Sequence, residues 1–593
     1  MQERSEIKEK DKWLVESIYE NDDLWNKDYN LVKSNISTIE DFKGIVTSSP
    51  DTLLVLLDVY SDLKSKIEKL FTYANMKKDE DIENNIYQNQ YELAYSLIVD
   101  FDELSSFIKP EIISLTEDNF EVLLKTCKLR PYFFYLKNIY RFKNFTLSEE
   151  CEKLISMSLS ISNNGYNIFN SFNNGDIKFE TIKDSQEKEV SLTHGSYFKI
   201  LIDKDRDIRR QGFIKYHKSY AEYPNMLATT LNSQIKTNLF HSKARGYNST
   251  LESSLFQNNI PVSIYTNLIE TVRKNIGVLH NYLDYRRDKM GLDRLHPYDL
   301  YVPIFEYNNN YTDYDEARKM VIESVSILGN EYSDSLKKGL YDDRWVDIYE
   351  NKNKRSGAYS TGSFLTKPFI LMNYNGTMND IKTLAHEAGH SMHSFYSRKS
   401  QPAQYADYSI FLAEVASTFN EELLSDYLQL RSEDIQYKRF LINQRLEEIR
   451  ATFFRQTMFA EFELIINNFV AEGIPLTYNL LNNEYRKLNS FYLGSNVELD
   501  EMLDIEWARI PHFYYNYYVY QYATGISAAI ALFRRAMSDK SNIEKYINFL
   551  KSGSSSYPID ILKNAGVDMT SPEPIKETIK YFQNLVDDLI KLG

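Results

Sequence analysis

Only 20 glycines and 14 prolines punctuate 593 residues, and that scarcity narrows the fold more than any other feature. Glycine and proline end helices and shape tight turns. A chain with so few of them has room for many long, unbroken helices. The apolar pattern agrees. In Thr52-Leu53-Leu54-Val55-Leu56-Leu57-Asp58-Val59-Tyr60 apolar residues recur at three- and four-residue spacing, the period of an amphipathic helix. A mainly α fold is expected. Helical patterning runs from about residue 5 to 115. A less regular helical stretch, 116–185, ends near the turn-rich Asn163-Asn164-Gly165 and Asn173-Asn174-Gly175. Beyond Asp203 long charged amphipathic helices resume. Length alone gives a loose prior of roughly four domains. The pattern divides the chain into 1–115, 116–185 and 200–593, with no internal repeat or low-complexity linker.

Charge removes several function classes. Lys plus Arg number 69 against 84 Asp plus Glu, a net charge of −15, and no basic block reverses that locally. Such a surface repels phosphate backbones, so nucleic acid is not an expected partner. The acidic excess reads as a solvated surface. The two cysteines, Cys127 and Cys151, are too few for a disulfide framework and form no CxxC pair. Met1-Gln2-Glu3-Arg4-Ser5-Glu6 is charged and lacks the apolar stretch of a signal peptide. Apolar runs such as Ala528-Ala529-Ile530-Ala531-Leu532-Phe533 fall short of the roughly 20 residues that span a bilayer. We expect a soluble, cytoplasmic protein with no membrane partner. Oligomeric state is not legible.

One region breaks the helical pattern. Gly357-Ala358-Tyr359-Ser360-Thr361-Gly362-Ser363-Phe364 and Pro368-Phe369-Ile370-Leu371-Met372-Asn373-Tyr374 read as two short strands, followed by an Asn375-Gly376-Thr377 turn. Two readings stand side by side. A free strand edge can hydrogen-bond an extended peptide, or the pair is a structural hairpin.

Directly after it comes His386-Glu387-Ala388-Gly389-His390 in a helix-forming context, with Asp380 or Asn379 available to cap the start. Positions i and i+4 lie above one another on a helix. His386 and His390 can therefore place two imidazole nitrogens about 2.0–2.1 Å from one Zn²⁺. Glu387 is turned about 100° away, beside the metal, where a base acting on metal-bound water has to sit. Zinc lowers the pKa of that water to about 7, and the carboxylate takes its proton. The bare pentapeptide also occurs in solvated helices without a metal.

The third ligand is less direct. His393 lies seven residues from His386, about 10.5 Å along the axis and too far for both rings to share one tetrahedral ion. We read it as an outer or packing residue. Its presence, and Tyr396 three residues on, exclude the metzincin pattern. Glu414 stands in the apolar Phe411-Leu412-Ala413-Glu414-Val415-Ala416-Ser417, where a carboxylate needs a cation or hydrogen-bond partner. Zinc meets that need. Asp407 looks like a residue at a helix start. Glu421 either orients a ligand histidine or forms, with Glu422, a solvent-facing acidic pair.

Far downstream, Pro511-His512-Phe513-Tyr514-Tyr515-Asn516-Tyr517-Tyr518-Val519-Tyr520-Gln521-Tyr522 is dense in phenols. Tyr and His donors suit the oxyanion of a tetrahedral intermediate. Tyr517 and Tyr520 would share a helical face by i,i+3 spacing, and His512 is a further candidate. The plain alternative is that most of these rings pack.

Together these pieces resemble the oligoendopeptidase F group of the thimet oligopeptidase-like zinc peptidases. The resemblance rests on Ser356-Gly357-Ala358-Tyr359-Ser360, Ile370-Leu371-Met372-Asn373-Tyr374 and Thr383 through His393. Ala413-Glu414-Val415-Ala416-Ser417, Pro511-His512-Phe513-Tyr514, Tyr518 through Gly525, and Leu295-His296-Pro297-Tyr298-Asp299-Leu300-Tyr301 complete it. It spans nearly the whole chain. It implies one Zn²⁺ held by His386, His390 and Glu414, with Glu387 as general base. It implies transition-state stabilisation by a His/Tyr cluster, in which Tyr520 fits the family's tyrosine best. It also implies a mainly α, two-lobed helical peptidase with a deep substrate channel and a small β-sheet beside the zinc-binding helix. Segment 116–185 would be the small oligoendopeptidase-type domain and 200–593 the metallopeptidase domain. The expected function is a zinc-dependent endopeptidase hydrolysing internal bonds of short oligopeptides. A carboxypeptidase, which would need a basic anchor for the substrate's terminal carboxylate, and a non-catalytic peptide-binding protein are the rivals.

Overall fold

The computed structural model describes residues 2–184, 186–307 and 311–593. Helices hold 71% of the chain and the only sheets among the described residues have two and three strands, so the mainly α expectation holds. Among the described residues no helix is long and apolar enough to cross a membrane. Packing groups the residues differently from their sequence order. One unit comprises Met1–Asn144, Asn309–Arg431 and Leu532–Val567, and the other Phe145–Asn308, Ser432–Ala531 and Asp568–Gly593.

In the first unit, the helices Asp22–Asn35, Pro50–Glu80 and Asn85–Leu104 enclose a core that includes Trp13, Trp25, Leu56 and Leu70. Phe369 and Leu371 belong to the same core. They come from the middle strand of the three-stranded sheet, Phe369–Leu371, buried at all three positions. Burial on both faces explains its continuous apolar run in place of alternation. Tyr359–Thr361 pairs with it antiparallel, Ser360 opposite Ile370, and forms one edge. Val346–Asp347 pairs parallel on the other side, a third strand the sequence did not reveal. The Asn375-Gly376 turn does not join the strands. It leads from the sheet into the helix Met378–Ser400.

The sheet is pinned by buried charge. Asp347 meets Arg4 and Lys354, each at 2.7 Å, and Arg4 also reaches Glu80 at 2.9 Å. Tyr359 of the edge strand donates its hydroxyl to Asp79 of the long Pro50–Glu80 helix at 2.7 Å. Charges this deep cost desolvation and are tolerated because each finds a partner. Behind the metal-motif helix and its neighbour Ile410–Arg431 packs Ser541–Lys551, whose Tyr546 stacks on Phe419 at 3.8 Å.

The second unit contains the helices Arg206–Ala221, Pro224–Ala244, Val262–Lys274, Arg455–Ala471 and Tyr478–Leu493, with a small antiparallel pair, Thr181–Lys183 and Glu189–Ser191. Its buried Glu506 is held by Arg455 and Arg509 at 2.7 Å and by the Tyr485 hydroxyl at 2.6 Å. That cluster anchors the chain just ahead of the tyrosine-rich segment.

Candidate metal centre

The Met378–Ser400 helix starts with a capping box. Thr377 is the N-cap, its hydroxyl accepts the Asp380 N–H, and the Asp380 carboxylate accepts the Thr377 N–H at 2.9 Å. Neither Asp380 nor Asn379 is the cap itself. Asp380 is the reciprocal partner three residues in, which satisfies two end donors at once. From this rigid start the helix carries His386 and His390 on one half-open face.

The ring nitrogens converge. His386 Nε2 and His390 Nε2 lie 3.1 Å apart, and Glu414 Oε2 stands 3.6 Å from the first and 3.9 Å from the second. Two ligands about 2.0–2.1 Å from a tetrahedral ion are themselves about 3.3 Å apart, so this triangle encloses a zinc-sized space. Among the described residues it is the one such cluster of three metal-ligating groups. Two imidazoles and one carboxylate are the donor set of a catalytic zinc, which leaves a coordination position open. The residues fit the ion that the motif implies.

Glu414 differs from its sequence expectation in one respect. Phe411, Leu412, Val415 and Ala416 are buried, but the Glu414 side chain keeps 43% of its exposure. It projects from the open face of an otherwise interior helix. Asp407 is exposed and precedes that helix. His393 is buried, stacks on Tyr408 at 3.6 Å and leans on Phe549. It packs, as its spacing demanded.

Glu421 resolves its two readings. Its Oε1 sits 2.5 Å from His386 Nδ1, so the ring donates Nδ1–H to the carboxylate and aims Nε2 at the metal position. Glu422 is fully buried and is not half of a solvent-facing pair. Burial disfavours charge on His386, but Glu421 outweighs it and pushes the ring up to about 9. Burial and the neighbouring His386 push His390 down to about 3. An ion at this position would compete with a proton for His386.

Glu387 is 8% exposed. Burial raises its pKa and nearby Glu414 adds to this, opposed by His386 and by the Ser360 backbone N–H that it accepts. The sheet's edge strand thus touches the candidate base directly. A second tie, Ser360 Oγ to Ser391 Oγ at 2.8 Å, fastens that strand to the metal helix.

Gly389 explains itself here. A Cβ at this position would lie 2.6 Å from Ser417 Cα and 2.7 Å from the Ala416 carbonyl oxygen. The helix bearing Glu414 can approach the histidines only because residue 389 has no side chain. Sequence reading passed over this role.

The tyrosine-rich segment belongs to the second unit. Tyr517 and Tyr520 do not share a helical face. The helix begins at Tyr520, and Asn516 and Tyr517 turn the chain with φ of 50° and 61°. Tyr517 is 1% exposed, with its hydroxyl 3.0 Å from Thr250 Oγ1, and Tyr520 is 3% exposed against Tyr265. The more open rings are His512, Tyr515, Tyr518 and Tyr522. His512 Nε2 lies 3.2 Å from the Tyr522 hydroxyl, and the Tyr518 ring stands 6.1 Å from His512 and 5.5 Å from Tyr522. Tyr522 lies on the first turn of that helix, and Tyr518 stands just before it.

Comparison with known proteins decides the family. Residues 200–581 match the model of peptidase family M3 and residues 111–179 that of oligopeptidase F. The chain belongs to peptidase family M3. It is a metalloendopeptidase-type hydrolase. It is 42% identical to oligopeptidase PepF of Bacillus subtilis (strain 168) over 100% of this chain and 88% of that protein. It is 37% identical to group B oligopeptidase PepB of Streptococcus agalactiae over 99% of this chain and 98% of the other. The crystal structure of oligoendopeptidase-F from Enterococcus faecium superposes with a TM-score of 0.74 at 32% identity, covering 96% of this chain and 99% of that one.

Proposed function

We propose that this M3 peptidase is a zinc-dependent endopeptidase acting on internal bonds of short oligopeptides. His386, His390 and Glu414 hold the ion and Glu387 serves as general base. The observation that carries this reading is the triangle of His386 Nε2, His390 Nε2 and Glu414 Oε2, with sides of 3.1, 3.6 and 3.9 Å. Its first ring is oriented from behind by Glu421.

Zinc bound there supplies a Lewis acid for the scissile carbonyl and acidifies the attacking water. The chain's own groups do the rest. Glu387 takes the proton of the attacking water on its carboxylate and passes it to the nitrogen of the leaving amine. A carboxylate at this place beside the metal position can serve both halves of that transfer. The edge strand Tyr359–Thr361 offers backbone groups to an extended peptide, and the Ser360–Glu387 contact ties this strand to the base. For the oxyanion we assign donors from the His512 segment. Of the expected residues His512 is accessible. Tyr517 and Tyr520 are buried, which favours Tyr522 and Tyr518 as its partners. The two cysteines are exposed and unpaired, which suits a reducing, cytoplasmic setting.

The test is Glu387→Gln in the zinc-loaded protein. The amide keeps the shape but cannot take a proton, so zinc content should equal wild type while peptide cleavage falls by about 10²–10⁴-fold. Undiminished turnover refutes the assigned base. Mass-spectrometric mapping of cuts in C-terminally amidated peptides should show internal cleavage. Dependence on a free terminal carboxylate would point to a carboxypeptidase instead.

A further inference from the structure

We propose that Glu463 is a positioning residue: through the Asn516–Tyr517 corner, its carboxyl group sets where the face bearing His512, Tyr518 and Tyr522 stands. The proposal rests on the catalytic role given above to that face.

The corner is unusual in its backbone. Asn516 and Tyr517 are consecutive left-handed residues, with φ of 50° and 61°. Asparagine tolerates this conformation, but a bulky aromatic residue adopts it only when its surroundings enforce it. Three bonds do so. Ser254 Oγ donates to the Asn516 carbonyl at 2.8 Å, and the Tyr517 hydroxyl meets Thr250 Oγ1 at 3.0 Å. The Tyr517 N–H donates to Glu463 Oε1 at 2.5 Å. That amide is buried, and Glu463 is the acceptor that satisfies it. Only Tyr518 and Val519 separate the corner from the helix that starts at Tyr520. A rotation at Tyr517 is therefore carried straight into the Tyr518 ring and the first turn bearing Tyr522.

Glu463 is not otherwise occupied. It is 1% exposed on the Arg455–Ala471 helix, and its Oε2 has no hydrogen-bond partner among the described residues. The titratable groups facing it are Tyr265 of the Val262–Lys274 helix and Tyr517 itself, both phenols whose ionisation it opposes. Tyr520 and, on its own helix, Glu461 act on the same Tyr265. No cation answers it among the described residues. Burial pushes the carboxyl up to about 8, against the pull of the Tyr517 N–H. Near neutral pH it is an uncharged acid. Ionisation above that range puts an unpaired charge at the corner.

The experiment measures kcat and KM for a quenched-fluorescence peptide on zinc-loaded full-length protein from about pH 6 to 9.5, spanning the carboxyl's titration. Wild type is compared with Glu463→Ala, Glu463→Gln and His512→Ala. Glu463→Ala should lower kcat by about tenfold or more with KM changed by less than about threefold and zinc content unchanged. Glu463→Gln, whose amide oxygen can accept the Tyr517 N–H, should restore kcat to within about twofold and lose the wild-type decline above about pH 8. A Glu463→Gln profile that keeps the wild-type alkaline decline overturns the proposal even if Glu463→Ala fails to fold. So does a folded Glu463→Ala with wild-type kcat while His512→Ala is impaired. If His512→Ala is itself fully active, the catalytic assignment of the face fails, and this proposal with it.

Discussion

Replacing Gly389 by alanine tests the metal centre through its scaffold and leaves every ligand in place. By helix propensity alone the change should stabilise, since glycine inside a helix costs about 0.5–1 kcal/mol relative to alanine. The crossing with the Ile410–Arg431 helix reverses that sign. A methyl group at 389 would stand 2.6 Å from Ser417 Cα, and ordinary contact begins at 3.4 Å. Backbone cannot swing aside as a long side chain can, so the helices must part by about 0.8 Å, and overpacking of this kind costs about 1–3 kcal/mol. Glu414 sits one turn before Ser417 on the displaced helix. Metal–ligand distances tolerate only about 0.2 Å, so the carboxylate is carried out of range of an ion held by the two histidines. We expect zinc affinity to fall about 10–100-fold, with a lower melting temperature in the metal-free protein. Competition against a fluorescent zinc chelator gives the first quantity and thermal unfolding in excess chelator the second. Wild-type zinc affinity together with an unchanged or raised melting temperature would refute the argument from the crossing.

Three further outcomes follow from the geometry. Glu421→Ala frees His386 Nδ1 and should weaken zinc binding about 10–100-fold while the fold is retained, read by the same chelator competition; unchanged affinity would mean the 2.5 Å contact does not orient the ring. Thr377→Ala removes the cap of the metal helix and should cost about 0.5–2 kcal/mol in denaturant unfolding, with zinc affinity barely altered because the cap lies more than two turns from His386. Glu463→Gln should alter the pH dependence of stability. The carboxyl's pKa is raised from 4.5 to about 8 on folding, so the stability that wild type has below its unfolded pKa is lost as pH rises from about 4.5 through about 8. Glutamine loses none, so wild type should lose about 3–5 kcal/mol relative to Glu463→Gln across that window; a difference that does not vary with pH would contradict it.

What could be read in advance follows physical range. The pairing of His386 and His390 is a matter of one helical turn, and sequence spacing states it fully. The capping box is equally local: Thr377 three residues before Asp380 carries the signature, and it places the cap ahead of both Asn379 and Asp380. Gly389 was opaque because its reason lies 28 positions away in sequence, at Ser417. The Val346–Asp347 strand has two residues, too few for any alternation to show. The shared helical face expected of Tyr517 and Tyr520 is absent for a different reason. The step from Tyr517 to Tyr520 runs across a corner, and Asn516 is a residue that favours such a turn. Burial then separated the rings that pack from those that remain open, which spacing cannot do. The interleaving of the two packed units is a property of non-local contacts and leaves no mark on composition.

That interleaving has a consequence during synthesis. The first unit closes only with Leu532–Val567, which supplies Phe549 behind His393 and Tyr546 beneath Phe419. A nascent chain has made Glu414 about 135 residues before it makes Phe549, an interval of roughly 7–27 s at ordinary elongation rates. Through that interval His386, His390 and Glu414 exist without the wall that packs behind them. The growing chain must keep its apolar helix faces from other partners until that late helix arrives.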